Sequence, residues 1–197
     1  PTPTLNPRAG RRLKVLVTPR PSVLAGETRS LLLTATSAVD ATRKDAVKAV
    51  TICAPSYQPD GLIYNGITYV GDGIYNTSGT GQTHALAVAL GRTATYNVKI
   101  CNDGNVAQPL TITGTPGSSR WTVQYIDYTT TADITTAVTG AGWPTLVLNP
   151  GGYWRGKVLV TPGPSVPAGG TLSVLVTGTS TADLIKKDVV KATTSRE

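Results

Sequence analysis

Hydrolysis by a serine or cysteine nucleophile needs a histidine within hydrogen-bond reach. This chain of 197 residues has a single histidine, His84, in the alternating run "THALAVAL", and no G-x-S-x-G elbow surrounds any serine. Glycosidase chemistry needs two carboxyl groups facing one another across a cleft. The only glutamates are Glu27 and Glu197, and most aspartates fall at turns or strand ends. One histidine and two distant cysteines cannot close a zinc shell. Asp72 in "VGDGIY" and Asn102, Asp103 and Asn105 in "NDGN" are rich in oxygen but lack the spaced carboxylates of an EF-hand loop. They read as hairpin turns, so neither an enzyme nor a bound metal or cofactor is expected.

Three other groups of residues carry chemistry. Cys53 and Cys101 stand 48 positions apart with no metal-binding motif around either. In an exported protein they are expected to form a disulfide, the alternative being two small buried thiols. "NTS" at 76–78 makes Asn76 a formal glycosylation acceptor. Tyr57, Tyr64, Tyr69, Tyr75, Trp143, Tyr153 and Trp154 are rings on which a sandwich module could stack sugars. Tyr69, Tyr75, Trp143 and Trp154 are the leading candidates, provided that they form one exposed strip.

The elements that must hold these residues are strands. The chain is 40% hydrophobic and only 15% charged, with 21 glycines and 14 prolines, a composition of pleated segments and turns. The absence of methionine marks Pro1 as a processed end or the edge of a longer sequence. No run approaches the roughly 20 apolar residues of a membrane-spanning helix, and no signal peptide stands at the N-terminus. An exported, trimmed protein without membrane insertion fits these features.

A repeat organises the whole. "KVLVTPRPSV" at 14–23 returns as "KVLVTPGPSV" at 157–166, and a shift of 143 residues aligns 1–51 with 144–194 without a gap, 30 of the 51 positions being identical. The net charge of +7 follows this division: +6 on 1–51, −2 on 52–143 and +3 on 144–197. Nucleic-acid binding would pair such a basic patch with exposed aromatics or a recognition helix. Neither is evident in the sequence.

Between the copies, "APSYQPDG" reads as a linker. A succession of short alternating segments follows, each closed by a turn signal: "GITYVGDGIYN", "HALAVAL", "ATYNVKICNDGN", "PLTITGTPGSS", "RWTVQYIDYT", "DITTAVTGAGWP" and onward through the second copy. This is the pattern of an antiparallel β-sandwich. In "RWTVQYIDY" the face Trp121, Val123, Tyr125, Asp127 alternates with Thr122, Gln124, Ile126, Tyr128, and Trp121 or Ile126 is expected to anchor the sheets. Asp103-Gly104 is expected to supply the positive φ angles of a tight hairpin, with "NPGG" at 149–152 and "PAGG" at 167–170 doing the same elsewhere.

The run "YNVKICNDGNVAQPLTITG", the strand bearing Trp121, then "LNPGG", "KVLVTP", "VPAGGTLSVLVTGTS" and "KKDVVKATT" together resemble the immunoglobulin-like repeats of bacterial and archaeal cell-surface proteins. They are similar to the cell-adhesion-related bacterial (CARDB) domains and to the immunoglobulin-like domain found beside alpha-galactosidases. The likeness covers about 67–195 as a complete unit and 1–51 as the second half of a preceding one. It implies an exported tandem-repeat protein with stalk, adhesive or fibre-building roles, and it carries over no catalytic residues.

The expected organisation is therefore a partial unit at 1–51, a linker at 52–66 and a complete immunoglobulin-like all-β sandwich at 67–197. A few late strands with an open apolar face cannot persist alone in water. The expected function is an extracellular, cell-surface structural protein, built into a fibre, pilus-like filament or surface layer by head-to-tail strand contacts. Its partners would be copies of itself in a homopolymer, or neighbouring tandem repeats. Leu13, Val15, Val17, Leu31 and Leu33 are the expected contact residues. The alternative is a carbohydrate-binding or adhesive module with surface glycans as partners.

Overall fold

A computed structural model describes residues 4–197. Residues 1–3, the first three positions of the repeat alignment including Pro1 and Thr2, lie outside the described residues. The chain divides into two compact units, Pro1–Ala54 and Pro55–Glu197.

The second unit is an all-β sandwich. Its strands are β3 (Pro59–Tyr64), β4 (Tyr69–Val70), β5 (Thr83–Val88), β6 (Ala94–Asn102), β7 (Leu110–Gly114), β8 (Trp121–Asp127), β9 (Trp143–Pro144), β10 (Tyr153–Pro162), β11 (Thr171–Ser180) and β12 (Lys187–Arg196). One sheet runs β4-β3-β6-β10-β8 and the other β5-β12-β11-β7-β9. Alternation decides what each sheet buries. β6 turns Ala94, Tyr96, Val98 and Ile100 inward, β8 turns Trp121, Val123 and Tyr125, β10 turns Val158 and Val160, and β11 and β12 close the far side with Val174, Val176, Val190 and Ala192. Trp121 is the expected anchor, whereas Ile126 faces away from it.

Four details depart from the sequence reading. The sandwich begins at Pro55 rather than at 67, because "PDGLIY" within the expected linker is β3, an interior strand whose residues Pro59–Ile63 are all buried. The segment "DITTAVTGAG" is no strand but holds the short helix α1 (Thr135–Thr139), with Val138 packed into the core. The sheets are not purely antiparallel, since β5 adds parallel to β12. Gly104 has no positive φ, unlike Gly151 and Gly169 in the other two turns. It lies so close to the Ser56 carbonyl that any β-carbon there would collide with it.

The first unit is one antiparallel hairpin, β1 (Thr28–Thr36) and β2 (Lys44–Ile52), preceded by a segment without regular pairing. Its register pairs Thr28 with Ile52 and Thr36 with Lys44. Moved by 143 residues this becomes Thr171 with Ser195 and Thr179 with Lys187, which is the register of β11 and β12. The partial copy of the late strands thus folds as a hairpin of the same design, while "KVLVTP" at 14–19, whose counterpart is part of β10, pairs with nothing regular.

Candidate functional site: an open hairpin and its covered counterpart

The two copies differ in what meets their apolar face. In the second unit Val158, Val160, Val174, Val176 and Val190 are fully buried. Their counterparts by the shift of 143 are Val15, Val17, Leu31, Leu33 and Val47. Leu33 is 44% exposed, Val15 46% and Val47 62%, while Val17 and Leu31 are half-buried. Leu13, 66% exposed, aligns with Gly156. A β-carbon at Gly156 would collide with the Trp154 ring, and the residue aligned with Trp154 is Arg11. Trp154 and Gly156 in one copy are Arg11 and Leu13 in the other, so Leu13 stands at the position aligned with a buried glycine. All five expected contact residues therefore align with core-facing positions of the complete unit. Val17 and Val23 also line a groove of about 510 Å³ with Thr28, Arg29, Thr51 and Cys53.

Sequence reasoning missed the polar residues of the same face. Asp188 on β12 is fully buried. Its Oδ2 accepts the Gly61 amide at 2.7 Å, and its Oδ1 accepts the Asn76 amide at 2.8 Å and the Gln82 Nε2 at 2.9 Å. Ser180, at the end of β11, donates its hydroxyl to Gln108 Oε1 at 2.6 Å. Thr194 Oγ1 lies 2.8 Å from the Tyr96 hydroxyl. These partners, apart from the turn amides that Ser180 also accepts, come from residues 55–143. In the first copy the aligned residues are identical, Asp45, Ser37 and Thr51. Asp45 and Ser37 are exposed and Thr51 is half-buried. Asp45 Oδ1 accepts the neighbouring Ala46 amide, and Ser37 Oγ accepts the amides of Val39 and Asp40, as Ser180 Oγ does those of Ala182 and Asp183. The available signal was an aspartate on the apolar parity of a strand, present in both copies.

Beside Asp188 lies a second buried carboxyl, Asp60. Its Oδ2 accepts the Gly73 amide at 3.1 Å, and its Oδ1 is buried with no hydrogen bond. Burial, reinforced by the charges of Asp103, Asp188 and Asp72 against that one amide bond, pushes its pKa up to about 7. Among the described residues no three His, Cys, Asp or Glu side chains converge so as to hold a metal ion.

The sugar-stacking candidates do not share one strip. Trp154 is buried, donating its indole N–H to Asp127 Oδ2 at 2.7 Å. Burial raises the Asp127 pKa, but the bonds from Thr130, Trp154 and Thr129 outweigh it and hold the carboxyl below its usual range. Tyr75 donates to Asp103 at 3.0 Å, while Tyr69 lies under Lys99, whose Nζ is 5.2 Å from its ring centre. Trp143 lines a cleft of about 330 Å³ together with Trp154, Leu146, Leu148, Tyr153 and Arg155. The outer face of the β6–β10 pair interleaves rings and cations, with Lys99 over Tyr153 at 4.9 Å and Arg155 over Tyr128 at 4.5 Å.

Asn76 is held within its own loop. Its Nδ2 donates to the Thr80 carbonyl, and its Oδ1 accepts the amides of Ser78 and Gly79. No disulfide joins Cys53 to Cys101. Cys53 places its Sγ 3.7 Å from the carbonyls of Val23 and Ala54, whereas Cys101 is buried beside β3, where burial pushes its thiol pKa up to about 12. One cysteine belongs to each unit, and both are free thiols in this structure. His84 lies on β5 with its ring edge-on to Tyr96. Comparison with models of known protein families and with curated proteins finds no match to this chain.

Proposed function

We propose that the chain is a structural repeat of an extracellular, cell-surface fibre or layer, joined to its neighbours through the open hairpin β1–β2. The observation that carries this reading is the exposure of Val15, Leu33 and Val47 at positions whose counterparts are fully buried in the complete unit. An isolated two-stranded hairpin is at best marginal in water, and two free edges add the hazard of unplanned pairing. A neighbouring unit of immunoglobulin-like design, adding its strands head to tail, removes both liabilities. The charges of +6 on 1–51 and −2 on 52–143 favour contact between unlike surfaces. The supporting test is electron microscopy of the native fibres or layers supplied either with a tagged full chain or with a tagged chain lacking residues 1–51. Incorporation of the full chain and exclusion of the shortened one are expected. Unchanged incorporation after the deletion contradicts the junction.

A second reading is favoured by the cleft that brings Trp143 and Tyr153 together beside Arg155. It makes the sandwich a glycan-binding adhesive module. Binding on a glycan array that is lost in Trp143→Ala, with no assembly at any concentration, would favour it.

A further inference from the structure

The complete unit records what its late strands require from their cover. Three buried polar side chains, Ser180, Asp188 and Thr194, face residues 55–143 and find their partners there. Such groups are stable in a core only when hydrogen-bonded. The same three residue types stand at the aligned positions Ser37, Asp45 and Thr51 of the open hairpin. Ser37 accepts amides of its own turn, as Ser180 does, whereas Asp45 is exposed and accepts only the adjacent Ala46 amide, so nothing within the hairpin calls for an aspartate there. An aspartate on the face of β2 that carries Val47 and Ala49 is a poor occupant of a face closed by apolar groups alone. It suits a cover that brings amides to it.

The apolar positions are not simply repeated. Leu31 and Leu33 replace Val174 and Val176, and Ala35 replaces Gly178. A β-carbon at Gly178 would collide with Ile100 Cγ2, in the middle of β6. The hairpin therefore cannot be closed by a segment identical to 55–143 without displacement, because Ala35 carries the β-carbon for which Ile100 leaves no room. A second folded copy of this chain is excluded on a further ground. The edges that would receive the hairpin, β7 and β5, are already paired with β11 and β12.

Building on the junction reading above, we infer that the hairpin β1–β2 is covered by a different repeat unit of the design of residues 55–143. Its early-strand edges are free, it presents two backbone amides and a carboxamide to Asp45, and it carries a side chain smaller than isoleucine opposite Ala35. The occupant is a related protein segment, specified by its polar match and by one complementary change in size.

The test extends the full chain at its N-terminus by a second copy of residues 55–143, once with Ile100 kept in the added copy and once with Ile100→Ala there. Hydrogen exchange is followed at the amides of 28–36 and 44–52. Exchange slowed by about a hundredfold relative to the unextended chain is expected, more with alanine than with isoleucine. Asp45→Ala in the extended chain is expected to give back about tenfold of it. Exchange unchanged by either added copy, including through failure of the added segment to fold, overturns the inference. Slowed exchange that is equal for the two versions and insensitive to Asp45→Ala overturns the proposed match while leaving the junction itself standing. The junction reading fails separately, through the deletion of 1–51.

Discussion

Gly61 and Asp188, 127 residues apart, are joined by a hydrogen bond of 2.7 Å that ties the first strand of the sandwich to its last. The carboxylate also takes the Asn76 amide and the Gln82 carboxamide, so three donors from the early segment converge on one late-strand side chain.

Removing that side chain takes the acceptor from the buried Gly61 amide and the half-buried Asn76 amide and leaves Gln82 Nε2 only its bond to the Ile74 carbonyl, each lost bond costing about 1–3 kcal/mol. Asp188→Ala is expected to lower the stability of the second unit by about 3–5 kcal/mol in urea denaturation. Asp45→Ala in the same chain, free of any partner, is expected to change that transition by less than about 0.5 kcal/mol.

Asp60 gives the sandwich an unusual pH response. Its pKa is about 7 in the folded unit against 3.8 for an ordinary aspartate, so between these values the folded state binds more protons than the unfolded one. The Asp60 contribution is fully present below pH 3.8 and is lost as pH rises through about 7. Asp60→Asn is expected to raise stability at pH 8 and to flatten the pH 4–7 slope, as read by thermal denaturation across that range. A variant whose slope matches the parent chain would contradict this assignment.

Trp154 is buried and donates its indole N–H to Asp127 while also lining the cleft that holds Trp143. Trp154→Phe keeps most of the buried ring but removes the indole bond to the Asp127 carboxylate, a loss of about 1.5–3 kcal/mol. The pKa of Asp127 should rise in the variant, measurable by carboxyl NMR titration, because one of the bonds holding it down is gone.

Gly178 and Ile100 should be coupled. Gly178→Ala is expected to cost about 1–3 kcal/mol by overpacking against the isoleucine. In the background Ile100→Ala the same change should cost less by about 1 kcal/mol, the coupling being read from a double-mutant cycle. Independent effects would remove the size argument applied to Ala35.

Cys101 should resist alkylation at pH 8 in the folded chain, because burial raises its thiol pKa to about 12. Unfolding in guanidinium without reductant should release two thiols per chain, Cys53 and Cys101 both counted by mass after labelling.

What could be read from the chain alone follows physical lines. The alternation Trp121, Val123, Tyr125, Asp127 has the period of a strand with one buried face, and the inward set is the one the structure buries. The 143-residue repeat carried the hairpin register, since the aligned copies pair alike. β3 was hidden because Pro59–Ile63 are all buried, so it lacks alternation, and it begins with residues that signal a turn. The α1 segment is five residues long and largely β-branched, too short to show a helical period. The parallel pairing of β5 with β12 joins residues about a hundred positions apart, and nothing local encodes it. Trp154 and Asp188 were legible in principle. Each shares the parity of its strand's core residues, Val158 and Val160 for one and Val190 and Ala192 for the other.

The open hairpin is the centre of the proposed function, and its backbone amides report directly on whether it is covered. Hydrogen exchange at 28–36 and 44–52 should be compared between the dilute isolated chain and the same chain in assembled fibres or surface layers. Rapid exchange in the isolated chain and strong protection in the assembly are predicted. Equally rapid exchange in both would contradict a junction at β1–β2.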